Sequence, residues 1–164
     1  MILATVGTDT HQFNRLIEEL DKLVENKKLK DRVIAQIGNC TYIPKNYEHF
    51  RFADLEKFDK LNNSADIIIS HAGAGSLITS SQYGKPIIVV PRLKRYNEHT
   101  DNHQVQIAKE LEKQNKIVAV YDVKNLLDAI RKIKNLKFVT PKKSNEISKI
   151  ITEYILSLEM MNKK

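Results

Sequence analysis

The chain has a single cysteine, Cys40, in 164 residues. A disulfide framework needs pairs and a thiolate metal cluster needs several, so both are excluded, and a lone thiol fits a reducing compartment. Tryptophan is absent and aromatic residues make up only 7%. They are not interleaved with the basic residues, so no stacking platform for nucleic acid is visible and nucleic acid is not an expected partner. Long hydrophobic runs are also missing. Met1 to Val6 is apolar but only strand-length, and no later run approaches the roughly 18 residues of a membrane span. Low-complexity tracts and internal repeats are absent as well, which argues against disorder and solenoids.

What is present is an ordinary globular composition, 41% hydrophobic and 29% charged. The length fits one domain with a real core, and a two-domain enzyme does not fit. The formal net charge is +7, and residues 123–164 carry ten Lys/Arg against four Asp/Glu. The excess therefore sits in the last quarter, either as solvated helix faces or as a contact for anionic lipid or an acidic partner.

Strands and helices alternate. Ile2 to Val6 reads as a strand, followed by Gly7-Thr8 and a helix with Phe13, Leu16, Ile17, Leu20, Leu23 and Val24 on one face. A second strand spans Val33 to Ile37, and a short one lies near His49 to Phe52. A helix over Leu55 to Asn62 leads into the apolar strand ending at Ser70. After it come a glycine turn and a helix over Leu77 to Tyr83, then a strand over Ile87 to Val90. A polar loop from Arg92 to Thr100 follows, then a helix from near Asp101 and a strand over Ile117 to Val120. Asp122 is placed to cap the next helix. This alternation predicts an α/β fold, a single Rossmann-like doubly wound parallel sheet of order 3-2-1-4-5-6. Residues 1–138 form the domain. Residues 139–164 form a C-terminal amphipathic helix, opened by Thr140-Pro141, that packs on the sheet or on a partner.

Ligands of such sheets bind at the carboxyl ends of the strands. Three features meet there: Gly7-Thr8, the stretch His71-Ala72-Gly73-Ala74-Gly75-Ser76, and the loop Arg92 to Gln104 with Glu98, His99, Asp101 and His103. A glycine turn before a helix offers unpaired amides to phosphate oxygens. A metal is the rival use for His99, Asp101 and His103, but these spacings of two do not share one helix face, and no metal site is expected. Ser76 lies outside a Gly-x-Ser-x-Gly elbow, and Gly7-Thr8 lacks the dinucleotide fingerprint.

The runs Ser70 to Ser76, Gly84-Lys85-Pro86, Pro91-Arg92 and Glu98-His99 to His103-Gln104 resemble the sugar-nucleotide-binding half of GT-B glycosyltransferases of the family 28 type. The likeness extends from Met1 to about Val123. It is strongest to the small soluble subunits of split enzymes, namely the dolichol-pathway UDP-N-acetylglucosamine transferase and bacterial two-component exopolysaccharide glycosyltransferases. The resemblance implies half of a GT-B fold. The implied reaction is an inverting, metal-independent transfer from a UDP-sugar to a lipid-linked acceptor, with no cofactor. A membrane-anchored partner subunit would bring the acceptor, leaving this chain cytoplasmic and peripheral at the inner face of the membrane. The alternative is a non-catalytic nucleotide-sugar sensor or scaffold. The implied donor contacts are Gly7, Thr8, His71, Gly73, Ala74, Gly75, Ser76, Arg92 and Glu98, with His103 and Gln104 toward the sugar. Thr79 stands where many relatives carry a ribose-binding glutamate, and Gln82 is a possible substitute. His11 and His99 are the candidate bases.

Overall fold

The computed structural model describes residues 1–135 and 145–161. Six parallel strands form one sheet in the order β3-β2-β1-β4-β5-β6, as the alternation predicts. They are β1 (Ile2–Thr5), β2 (Val33–Gln36), β3 (Glu48–Phe50), β4 (Ile67–Ser70), β5 (Ile87–Val89) and β6 (Val118–Ala119). All but the edge strands β3 and β6 are wholly buried, which explains their near-continuous apolar sequences. Alternate residues serve opposite faces. Ile2, Ala4, Val33, Ala35, Ile67, Ile69 and Ile88 pack beneath α1 (Asn14–Glu25) and α5 (Leu126–Asn135). On the other face Leu3 and Ile68 meet Leu61 of α2 (Leu55–Ser64). Ile87 and Val89 meet α3 (Ala74–Ser81), α4 (His103–Lys113) and α6 (Glu146–Met161).

Register decides what reaches the carboxyl edge. Thr5 pairs with Gln36 on one side and Ser70 on the other, so three polar residues end the three central strands side by side. The chain builds outward from β1 to β3, then returns to place β4 against β1. That reversal opens the crevice in which such folds bind ligands.

Two boundaries differ from expectation. Helix α3 begins at Ala74, because Gly73 is extended (φ −72°, ψ 128°) and the Leu77 amide already donates to its carbonyl at 3.0 Å. Ala74, Gly75 and Ser76 are therefore its first helical residues rather than turn. Helix α4 begins at His103, whose amide donates to the Asp101 carboxylate at 2.8 Å, and the preceding loop contains a short 3-10 turn over Lys94–Tyr96.

Helix α6 docks on its own domain. Ile147, Ile150 and Ile151 are buried in the cluster formed by Leu77, Ile107 and Leu111, Lys116 pairs with Glu146 at 2.6 Å, and Tyr154 donates to Gln106. Its last turns keep Ile155, Leu156 and Met160 exposed. The expected Thr140-Pro141 cap and the 138/139 boundary lie outside the described residues. Among the described residues no helix is long and apolar enough to cross a membrane.

Candidate functional site

The site is built around the buried imidazole of His71, which follows β4. Its ring occupies the space that side chains at Gly7 and Gly73 would need. A Cβ on Gly7 would lie 2.5 Å from His71 Cε1, and one on Gly73 would lie 2.3 Å from Nε2. Gly7 also has φ +76°, a conformation that side-chain-bearing residues rarely adopt. The two glycines are thus explained by packing on His71. Gly75 is not, because a Cβ there would meet nothing within 4 Å.

Three amides at the start of α3, those of Ala74, Gly75 and Ser76, precede the first helical bond and point out of the helix. Gly75, Ser76 and Thr79 face a cleft of about 340 Å³ whose other walls are Thr5 from β1, Gly7 and Thr8 from the loop after it, Gln36 from β2, and Phe52 to Leu55 with Phe58. Phe52 is 53% and Leu55 is 89% exposed, an apolar wall left open to solvent. Gln82 caps the far end of α3 and does not line this cleft.

Gln36 shapes the cleft from below. Its Oε1 accepts from the Thr5 hydroxyl (2.8 Å) and from the amides of Val6 (3.2 Å) and Gly7 (3.0 Å). Its Nε2 donates to the carbonyls of Gly7 (2.8 Å) and Arg51 (2.9 Å). The carboxamide thus ties the Gly7 loop to the end of β1 and to the segment after β3. Sequence reading passed over Gln36 and Phe52. The available signals were a polar residue ending a buried strand and an aromatic just beyond β3.

Arg92 and Glu98 occupy a different place from the one expected. Arg92 is 1% exposed, and its guanidinium donates to the carbonyls of Val6 (2.7 Å), Glu98 (2.9 Å), His11 (3.0 Å) and Gln12 (3.2 Å). Glu98 is wholly buried; Arg15 donates to both its oxygens at 2.9 Å and the Leu93 amide donates to Oε2 at 2.9 Å. Neither side chain has a face left for substrate. Together they tie the loop after β1 to the loop after β5. Burial pulls the Arg92 guanidinium below its ordinary value, yet a guanidinium keeps its proton in proteins.

Gln104 has a mixed role. Its Oε1 accepts from the amides of Ala72 (3.2 Å) and Arg92 (3.0 Å), so it joins the turns after β4 and β5 and only its NH₂ remains to donate. His103 is exposed at the head of α4, 3.2 Å from Gln106 through Nδ1. His11 and His99 lie close together, their ring centroids 6.4 Å apart. Among the described residues no group of three His, Cys, Asp or Glu side chains is arranged to hold a metal.

Burial, with the positive charge of Arg92, lowers the pKa of His71 to about 4, and Nδ1 has no partner among the described residues. The imidazole is therefore neutral at physiological pH and works through shape and hydrogen bonding. Because the unfolded chain binds this proton near pH 6.5, the contribution is fully present above pH 6.5 and is lost as pH falls through about 4. Urea titrations across that window are expected to lose up to about 3 kcal/mol. His71→Phe should flatten that slope; an unchanged slope would contradict a neutral buried His71.

Residues 1–154 match the glycosyltransferase family 28 C-terminal domain. The chain belongs to this family. It is 35% identical over 124 residues to the human (Homo sapiens) UDP-N-acetylglucosamine transferase subunit ALG13, covering 69% of this chain and 10% of that protein. For the Kluyveromyces lactis protein of the same name the figures are 33% over 129 residues, 75% and 62%. The chain thus spans less than two thirds of the length of these relatives. The solution structure of ALG13 aligns with a TM-score of 0.62 at 19% identity, covering 88% of this chain and 90% of that one. A glycosyltransferase of kitacinnamycin aligns at 0.62 and 16%, covering 99% of this chain and 43% of its own. Acinetobacter baumannii MurG aligns at 0.56 and 20%, covering 85% and 43%. The sheet and its helices are therefore the half-domain of a GT-B fold that larger transferases of this kind contain.

Proposed function

We propose that the chain is the donor-binding catalytic subunit of an inverting, metal-independent glycosyltransferase. It would take a sugar from a UDP-sugar and act with a membrane-anchored partner that presents a lipid-linked acceptor. The observation that carries this reading is the start of α3. The amides of Ala74, Gly75 and Ser76 have no partner among the described residues, Gly75 and Ser76 line a cleft, and Gly75 keeps clear a space there. Amides and a helix terminus held in advance stabilise the negative charge that develops on a departing diphosphate. Phe52 and Leu55 supply an apolar wall for a nucleobase, Thr79 lies where a ribose hydroxyl would come, and Thr8 stands beside the phosphates.

Because the relatives are UDP-N-acetylglucosamine transferase subunits, UDP-N-acetylglucosamine is the first donor to test, and their being subunits supports a second chain. The apolar end of α6, with Ile155, Leu156 and Met160, is the surface offered to such a partner. This reading places the chain on the cytoplasmic face of a membrane, held there through the partner.

The test is reconstitution. Alone, the chain should bind UDP and transfer nothing; co-expressed with a membrane-anchored candidate, it should glycosylate one of a panel of polyprenyl-diphosphate-linked sugars. Strong transfer by the chain alone would contradict the split enzyme. UDP binding without transfer in any pairing would favour a sensor instead.

A further inference from the structure

Strand β2 reads Val-Ile-Ala-Gln and is wholly buried, so its last side chain is an uncharged amide, 4% exposed, at the end of an apolar strand. A buried amide destabilises the fold unless its donors and its acceptor find partners. Here the partners come from two separate pieces of chain. Register sets Gln36 opposite Thr5 of β1 and Phe50 of β3, so its side chain sits at the carboxyl edge between the segments that leave those two strands. Oε1 accepts from Thr5, Val6 and Gly7, while Nε2 donates to Gly7 on one side and to Arg51 on the other.

The loop after β2 closes the tie. Gly38 has φ +47°, and a Cβ there would lie 2.6 Å from the Gly7 carbonyl oxygen and 3.2 Å from Gln36 Nε2. Its amide donates to the Arg51 carbonyl at 3.2 Å, and its carbonyl accepts from Arg51 Nη1 at 2.8 Å. One residue beyond each carbonyl that Gln36 holds stands a wall of the cleft: Thr8 after Gly7, and Phe52 after Arg51. Helix α3 is fixed separately, by Gly73 against His71 and by the Leu77 amide on the Gly73 carbonyl. Among the described residues no hydrogen bond joins Gln36 to α3.

We propose that Gln36 is a positioning residue that sets the separation between the phosphate end and the nucleoside end of the donor site, so that the cleft takes a nucleoside diphosphate as one unit. This rests on the transferase reading above. Gln36 lines the cleft, but both hydrogens of its Nε2 are donated within the protein, so it acts through Thr8 and Phe52. An inorganic diphosphate needs only the start of α3. A nucleoside diphosphate needs that helix end and the Phe52 wall at the spacing Gln36 holds, and such preorganisation raises affinity only for a ligand that spans both.

The test is titration of ¹⁵N-labelled wild type, Gln36→Glu and Gln36→Met with UDP and with inorganic pyrophosphate, each protein kept well below its own melting temperature. Gln36→Glu has the same shape and keeps the accepting oxygen, but when ionised it donates nothing to Arg51; Gln36→Met fills similar volume with neither function. Both should bind UDP about 10–100-fold more weakly and pyrophosphate within about threefold of wild type. UDP should still shift the amides of Ala74, Gly75 and Ser76 in both variants, while the shift at Ala53 is lost. Wild-type affinity for UDP in both variants overturns the proposal and leaves the donor reading standing. An equal loss of pyrophosphate and UDP overturns it as well, because Gln36 would then support the whole site rather than its spacing. So does absence of pyrophosphate binding by the wild type, since the start of α3 would not hold a diphosphate unaided. A wild type that does not bind UDP overturns the donor reading and this proposal with it.

Discussion

Replacing Gly75 by valine is expected to leave the protein folded and to weaken UDP binding about a hundredfold. The two effects separate because of where the side chain would go. A Cβ at Gly75 meets no atom from elsewhere in the fold within 4 Å, so the site has room for a side chain. Valine is also slightly better than glycine inside a helix, by a few tenths of a kcal/mol, so the melting temperature should hold or rise. The cost falls on the ligand. Side-chain bulk at the second residue of α3 displaces phosphate oxygens from the amides of Ala74, Gly75 and Ser76, and charge-assisted bonds of this kind contribute about 1.5–3 kcal/mol each. Gly73→Ala is the contrasting variant. Its Cβ would lie 2.3 Å from His71 Nε2, so it should lose about 1–3 kcal/mol of stability together with binding. Thermal melts and calorimetric titration of UDP read both quantities. Undiminished affinity in Gly75→Val would mean that the phosphates bind elsewhere.

Arg92→Met is expected to be the most destabilising single change at the site. Methionine fills much of the volume but leaves the carbonyls of Val6, His11, Gln12 and Glu98 without their shared donor in a buried place. Leaving buried carbonyls unsatisfied costs about 1–3 kcal/mol each, so a loss of several kcal/mol is expected, which for a chain of this size lowers the melting temperature by roughly 10 °C. Arg92→Lys should recover little. Nη1 bonds the carbonyls of His11, Gln12 and Glu98 and Nη2 that of Val6, and a single ammonium cannot reproduce the fixed fork that reaches all four. A loss below about 1 kcal/mol in urea titration of Arg92→Met would show that the loops after β1 and β5 hold together without it.

These two residues also show what a sequence can and cannot disclose. The order of the strands was readable because buried parallel strands such as Ile67–Ser70 are apolar throughout and alternate with helices of clear periodicity. The glycine stretch was readable as a strand-to-helix turn, yet the start of α3 was not, since Ala-Gly-Ser after Gly73 looks like turn. Arg92 and Glu98 looked like polar loop residues. Their burial depends on Arg15, 83 positions before Glu98, and on the carbonyl of Val6, 86 positions before Arg92. Gln36 acts on Gly7, 29 positions away. Phe52 and Leu55 read as members of a strand and a helix, and only the fold shows them forming an open wall opposite Gly75. Local pattern revealed elements, while the interactions that shape the site join residues far apart in the chain.

The central claim is that a nucleoside diphosphate sits between the start of α3 and the wall formed by Phe52 and Leu55. Titrating the ¹⁵N-labelled chain with UDP and following backbone amide shifts tests this directly. The account predicts saturable shifts at Gly7, Thr8, Ala53, Ala74, Gly75 and Ser76. Shifts confined instead to the polar groove lined by Glu18, Lys22, Tyr96 and Lys124, on the α1 side of the Arg15–Glu98 pair, would contradict it.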